Sequence, residues 1–230
     1  MFDDLAAVFA ATKPTAARTD YVSAIIEGNC LGKPTTSTRK LSLQRLTELY
    51  ALDPSVALFR VFRRLCQLDS VARPLLAHMC AIARDPLLAA TVTPVLSLMP
   101  GAEFQRDAMK KALLDVVGER FNESILDKIV RNAASSWQQS GHLAGRIFKK
   151  RCKVTPSAAS GVFAIYLAYL SGFRGNELFA SGWFALLDCS PGEARELAIE
   201  AKRLGLIDLR MAGDVVDLNL DRLDPGSKGA

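Results

Sequence analysis

Ser190-Pro191-Gly192-Glu193-Ala194-Arg195-Glu196-Leu197-Ala198-Ile199-Glu200-Ala201-Lys202-Arg203-Leu204-Gly205-Leu206-Ile207, running on to Leu220, is the stretch that decides the fold class. Ser190 and Glu193 are spaced as a capping box, in which the hydroxyl accepts the third helical N–H and the carboxylate reaches back to the cap. Pro191 stands at the first helical position, where its missing N–H costs nothing. Ala194, Leu197, Ala198, Ala201 and Leu204 then recur at helical spacing as one apolar stripe. Gly205 follows as a left-handed C-cap, with Leu206 placed to fold back onto the helix. Residues 207–210 and 215–220 flank the turn-forming Met211-Ala212-Gly213-Asp214, and Val216, Leu218 and Leu220 alternate with Asp217 and Asn219. That alternation predicts a half-buried strand and hence a hairpin. Residues 176–187, with Leu178, Phe179, Trp183, Leu186 and Leu187, read as a preceding amphipathic helix. Helix, turn, helix and hairpin is the order of a winged helix-turn-helix.

Working outward, the rest of the chain is helical in pattern. Asp53-Pro54, Asp85-Pro86 and Thr155-Pro156 repeat the pairing of a capping side chain with proline. After Asp53, Val56, Leu58, Phe59, Phe62, Leu65 and Cys66 share a helical face, with Arg60, Arg63 and Arg64 on or beside the opposite one. A helix begun near Ser37 carries Leu41, Leu43, Leu46, Leu49 and Tyr50 inward, and Leu113, Val116 and Val117, then Ile125, Leu126, Ile129 and Val130, mark two more. The expected fold is mostly α: a multi-helix bundle with a C-terminal winged helix-turn-helix carrying a short β-hairpin. Its expected parts are an N-terminal helical domain over residues 1–153, a winged-helix-like domain over 154–223 and a free tail over 224–230.

Composition narrows the function. The 230 residues carry 29 Lys+Arg against 24 Asp+Glu, and half are apolar, which excludes a disordered or fibrous chain. Five cysteines (30, 66, 80, 152 and 189) contain no CxxC pair, which suits a reducing cytoplasm. Acids at Asp3 and Asp4 stand where a secretion signal carries bases, and no apolar run is long enough to span a bilayer. His78 and His142 have no partner at metal-ligand spacing, and neither a nucleotide-cradling glycine loop nor a nucleophile elbow occurs. The expectation is a cytoplasmic binding protein without cofactor or metal, not an enzyme and not membrane-bound.

Charge is distributed unevenly. Residues 128–176 hold eight bases (Lys128, Arg131, Arg146, Lys149, Lys150, Arg151, Lys153 and Arg174) and no acid, whereas residues 177–230 hold 6 bases and 10 acids. A solvated face ordinarily mixes both signs, so a window emptied of carboxylates points to a polyanion or to an acidic partner. Within it, Ser136, Gln138 and Gln139 offer hydroxyl and amide groups beside Trp137, followed by Arg146, Lys149, Lys150, Arg151 and Lys153. Such groups hold phosphate oxygens, and cations release the condensed counterions of a duplex. Trp137 reads either as core or as part of that polar surface. A second candidate lies at Thr35-Thr36-Ser37-Thr38-Arg39-Lys40, where Thr36 or Ser37 would cap a helix whose first turn carries Arg39 and Lys40. The candidate nucleic-acid contacts are therefore Arg39, Lys40, Ser136, Gln138, Gln139, Arg146, Lys149, Lys150, Arg151 and Lys153. The winged helix is acidic, with Glu193, Glu196, Glu200, Asp208, Asp214 and Asp217, which opposes its own approach to DNA.

Residues 29–40, the chain length, the helical body and the closing Ala201-Lys202-Arg203-Leu204-Gly205-Leu206-Ile207 before a hairpin resemble the small helical BrxA-type proteins of BREX bacteriophage-exclusion systems. The resemblance implies a DNA-binding accessory factor of phage defence, without enzymatic activity, working beside other defence proteins. Two alternatives stand next to it: an assembly subunit that binds a protein and no nucleic acid, and a winged-helix transcription regulator reading through Arg195, Lys202 and Arg203.

Overall fold

The computed structural model describes residues 1–213 and 215–224. Nine helices come first: α1 (Phe2–Ala11), α2 (Arg18–Ile26), α3 (Thr36–Tyr50), α4 (Ala57–Leu68), α5 (Arg73–Arg84), α6 (Pro86–Ala90), α7 (Val92–Leu96), α8 (Arg106–Val117) and α9 (Glu123–Gln139). A small antiparallel pair, β1 (Leu143–Ala144) and β2 (Lys150–Arg151), leads to α10 (Ala158–Leu170). The chain then passes through α11 (Gly182–Ala185) and α12 (Pro191–Arg203) into a second antiparallel hairpin, β3 (Asp208–Ala212) and β4 (Val215–Asn219). The protein is mostly helical, as its periodicity predicts.

The middle of the molecule is α10, buried at every residue from 158 to 168. A helix apolar on all sides must be enclosed by others, and it packs against α4 and α5 as well as α11 and α12. Phe163 meets Phe62 of α4 with ring centroids 6.1 Å apart. Towards α12 the spacing is set by Gly161, where an added Cβ would lie 2.8 Å from the Leu197 Cβ. Among the described residues, a buried cluster of apolar side chains includes residues on both sides of the expected 153/154 boundary.

Helix α12 begins and ends as its residues dictate. The Ser190 hydroxyl accepts from the Glu193 N–H at 3.3 Å, and the Glu193 carboxylate accepts from the Ser190 N–H at 2.7 Å. Gly205 adopts φ +72°, its N–H donating to the Lys202 carbonyl and that of Leu206 to the Ala201 carbonyl, the paired bonds of a Schellman ending. In the hairpin, Leu209 faces Leu218 and Met211 faces Val216. Asp214, read from the sequence as part of the turn, lies outside the described residues.

Several starts and stops differ from expectation. Residues 176–187 form no single helix: a 3-10 segment (Gly175–Ala180) is followed by the one turn of α11. Ser181 between them is extended, with its hydroxyl donating to the Leu178 carbonyl at 2.8 Å, so the ladder is interrupted. Asp53 folds an Asx turn onto Ser55, and α4 starts only at Ala57. Ser157, not Thr155, caps α10, and Thr35, not Thr36 or Ser37, caps α3. Asp85 caps α6 as expected, accepting from the N–H groups of Leu87 and Leu88.

The arginines of α4 are structural. Arg63 stacks 3.9 Å from the Phe9 centroid and donates to the Phe9 and Thr12 carbonyls. Arg60 grips Asp224 through two bonds of 2.9 and 2.7 Å, while Arg64 donates to the Leu223 carbonyl. Asp224 is buried, so the expected tail cannot begin there; the rest of that tail, residues 225–230, lies outside the described residues.

Replacing Gly161 by Val drives two methyls into the Leu197 side chain and should lower unfolding stability by about 1–3 kcal/mol. A urea melt of the variant reads this directly; an unchanged midpoint would mean that α10 and α12 are not in this close contact.

Candidate nucleic-acid interface

The acid-free window folds around α9. Asn122 caps this helix by accepting from the Ile125 N–H at 3.0 Å, and Glu123 in its first turn suits the helix dipole. Its inner face carries Leu126, Val130, Ala133, Ala134 and Trp137 into the core. Facing outward are Lys128, Arg131, Asn132, Ser135, Gln138 and Gln139, all exposed. From Lys128 to Gln138 this polar row is roughly 15 Å long.

Beyond α9 the chain turns back through β1, a loop over residues 145–149, and β2. The outer edge of β2 is held by a neighbouring segment: Gly101 donates to the Arg151 carbonyl at 2.8 Å, Arg151 to the Ala102 carbonyl at 2.9 Å and Phe104 to the Lys149 carbonyl at 2.8 Å. The Lys149 ammonium donates to the Gln138 side-chain carbonyl, tying the loop to the end of α9. Arg146 and Lys150 are exposed, and among the described residues neither forms an ion pair. Of the sequence candidates here, Lys149 and Gln138 are joined directly, while Gln139, Arg146 and Lys150 are exposed on α9, the loop and β2.

Other candidates are used elsewhere. Arg151 is 3% exposed, and its guanidinium is paired with Asp188, whose second oxygen accepts from the Val154 N–H at 2.8 Å. It pins β2 to the segment before α12 and cannot reach a phosphate. Lys153 is exposed but lies 3.7 Å from Glu193 of α12, an acid the sequence window does not contain. Ser136 turns inward, its hydroxyl 3.2 Å from His78 Nδ1. Arg39 folds back to donate to the Ile26 and Lys33 carbonyls, closing the loop before α3 rather than facing outward. Lys40 is exposed on α3, which packs on α2 and α5, and no hydrogen bond or ion pair joins it to the α9 surface among the described residues. Lys128 and Arg131, omitted from the candidate contacts, are the cations that α9 presents; their place in the acid-free window was the available signal.

Trp137 is core. It has no exposed surface, its Nε1 donates to the Thr91 hydroxyl at 2.7 Å, and it packs edge-on against His78 and His142. His142 Nε2 lies 2.8 Å from the Leu186 carbonyl and must carry the proton there, while Nδ1 faces the Ser140 hydroxyl at 2.8 Å, which also donates to the Trp137 carbonyl. Burial pushes the His142 imidazole down to about 4. It holds His78 well below its ordinary value, helped by repulsion from His142. Both rings are neutral at pH 7. Next to this cluster a cavity of about 510 Å³ opens between α3, α5 and α9, with Arg45, Lys128, Asn132 and Gln139 in its lining.

Among the described residues, no group of three or more His, Cys, Asp or Glu side chains is placed to hold a metal ion. No single helix among them is long and apolar enough to cross a membrane. Compared with protein-family models, with curated proteins and with solved structures, the chain matches none.

Two outcomes follow from this geometry. Asp188→Asn leaves the buried Arg151 charge without its partner and should cost about 3–5 kcal/mol of stability, whereas Lys150→Ala should change it by less than about 0.5 kcal/mol. Denaturant melts of both variants check the contrast. The histidines set a pH dependence with a definite sign: their folded pKa values lie below the unfolded value near 6.5. Their contribution is complete above pH ~6.5 and declines on acidification, because the unfolded chain then binds protons that the folded one refuses. For His142 the decline runs from about 6.5 to about 4, at up to ~1.4 kcal/mol per pH unit. The urea midpoint should therefore fall between pH 7 and pH 5; a flat profile would contradict the neutral buried pair.

Proposed function

We propose that this chain is a non-enzymatic DNA-binding accessory protein of a bacterial phage-defence system of the BREX type, acting in the cytoplasm. It grips the phosphate backbone of duplex DNA along the exposed face of α9 and the β1–β2 loop. The observation that carries this reading is a set of exposed, unpaired cations on α9 and on the loop that Lys149 ties to its end. Lys128, Arg131, Arg146 and Lys150 are exposed and free of ion pairs among the described residues, with Asn132, Ser135, Gln138 and Gln139 beside them. Cations supply counterion release, and the amides and hydroxyl supply secondary phosphate contacts. Sequence selectivity is weak, because the row contains few side chains able to read base edges in the bidentate manner.

In this reading α10, the short helical turns, α12 and the β3–β4 hairpin are a winged helix-turn-helix used for docking rather than for DNA. The outward side of α12 carries Glu196 and Glu200, and a cleft beside it is lined by Glu193, Glu196 and Glu200 with Lys153. Carboxylates at that position repel phosphates and suit a basic surface on another defence protein.

Electrophoretic shift across a salt series tests the DNA contact. Duplex binding should weaken with a log–log slope of about −0.9 per neutralised phosphate. Changing Lys128, Arg131, Arg146 and Lys150 together to Glu should abolish it, while Arg195→Glu with Lys202→Glu should leave it intact. Undiminished affinity of the fourfold variant at low salt would overturn the assignment, and loss through the α12 pair instead would favour a winged-helix regulator.

A further inference from the structure

The tip of the β1–β2 loop carries two large apolar side chains in water: Ile147 is 76% exposed and Phe148 68% exposed. They are consecutive in the chain, between Arg146 and the Lys149-Lys150 pair. Exposed apolar residues scattered singly are ordinary, but an adjacent exposed pair in a loop flanked by basic residues is a surface with a use. The stem is firm, for Leu143 is buried and the backbone of residues 101–104 flanks β2. The turn is equally constrained. Gly145 adopts φ +117°, and an added Cβ there would sit 2.1 Å from the Phe148 carbonyl oxygen. No other residue fits this turn, so the tip is held out by its geometry rather than trailing as a slack loop.

A partner for this tip must be anionic at its surface and apolar just beneath. Duplex DNA meets both requirements: phosphates line the groove and stacked bases lie behind them. Resting on the DNA reading above, we propose that Ile147 and Phe148 form a wedge that enters the minor groove and partly unstacks one base step, while Arg146 and Lys150 hold the phosphates on either side. Apolar wedges of this kind kink a duplex by roughly 20–90° and offset the unstacking with added contact surface. The roughly 15 Å row on α9 then tracks the backbone leading away from the kink. Flexible pyrimidine–purine steps are the preferred entry points, because they open most easily. The protein thus selects deformable sites without reading base edges.

The test uses the full chain and a duplex carrying 2-aminopurine at a central TA step, with end-labelled fluorophores reporting the bend. The wild type should raise the 2-aminopurine emission and shorten the end-to-end distance. The double variant Ile147→Ser with Phe148→Ser changes only exposed side chains and should keep the wild-type helical circular-dichroism spectrum. It should lose both signals and bind about tenfold more weakly, with an unchanged salt slope because every cation remains. Wild-type binding with normal salt dependence but no bend, or a double variant that still bends DNA, overturns the wedge and leaves the backbone-binding reading standing. Absence of any salt-dependent duplex binding overturns both. Wild-type sedimentation with phosphatidylserine vesicles, lost in the double variant and unaccompanied by duplex bending, would overturn the wedge by assigning the tip to a lipid surface.

Discussion

One constraint organises the molecule: α10 is apolar all round and must be covered on all sides. Nearly all of its surface is removed from water, at roughly 25 cal/mol for each square ångström of apolar area. Four helices, α4, α5, α11 and α12, meet that demand from sequence positions before and after it. The N-terminal helices and the C-terminal hairpin module are therefore parts of one packed body. The glycine at position 161 shows how closely the enclosure is drawn, since even a methyl there would reach into Leu197.

The same enclosure sorts the basic window into two kinds of charge. Arg151, just ahead of α10, falls inside the packed body and can only be tolerated there with Asp188 against it. Lys128, Arg131, Arg146 and Lys150 fall outside, exposed to water and, among the described residues, in no ion pair, although Glu103 stands across from Lys150 and Asp127 one turn before Arg131. A net count along the chain treats these groups alike. Burial divides them into a structural ion pair and a surface available to an anionic partner, and the proposed DNA contact belongs to the second set alone.

Much of the fold was legible in the sequence because its signals are local. The capping box at Ser190, the left-handed Gly205 and the alternation around Val216 each act within a few residues, and all three are present in the structure. The single amphipathic helix over residues 176–187 was not realised. Its apolar spacing is compatible with a helix, but Ser181 turns its hydroxyl to the Leu178 carbonyl and breaks the ladder. The candidate surface was half legible. Absence of acids in a linear window marks the region, yet Asp188 reaches Arg151 from 37 residues further on and Glu193 reaches Lys153 from 40 residues further on only through folding, and no spacing rule reveals them.

The Arg60–Asp224 clasp joins residues 164 positions apart. On a ribosome making the chain from its N-terminus, α4 emerges long before Asp224 has been added, and its guanidinium group must wait in water for its counter-ion. Final seating of α4 therefore waits until Asp224 has been made and has left the exit tunnel, and is not completed as α4 itself emerges.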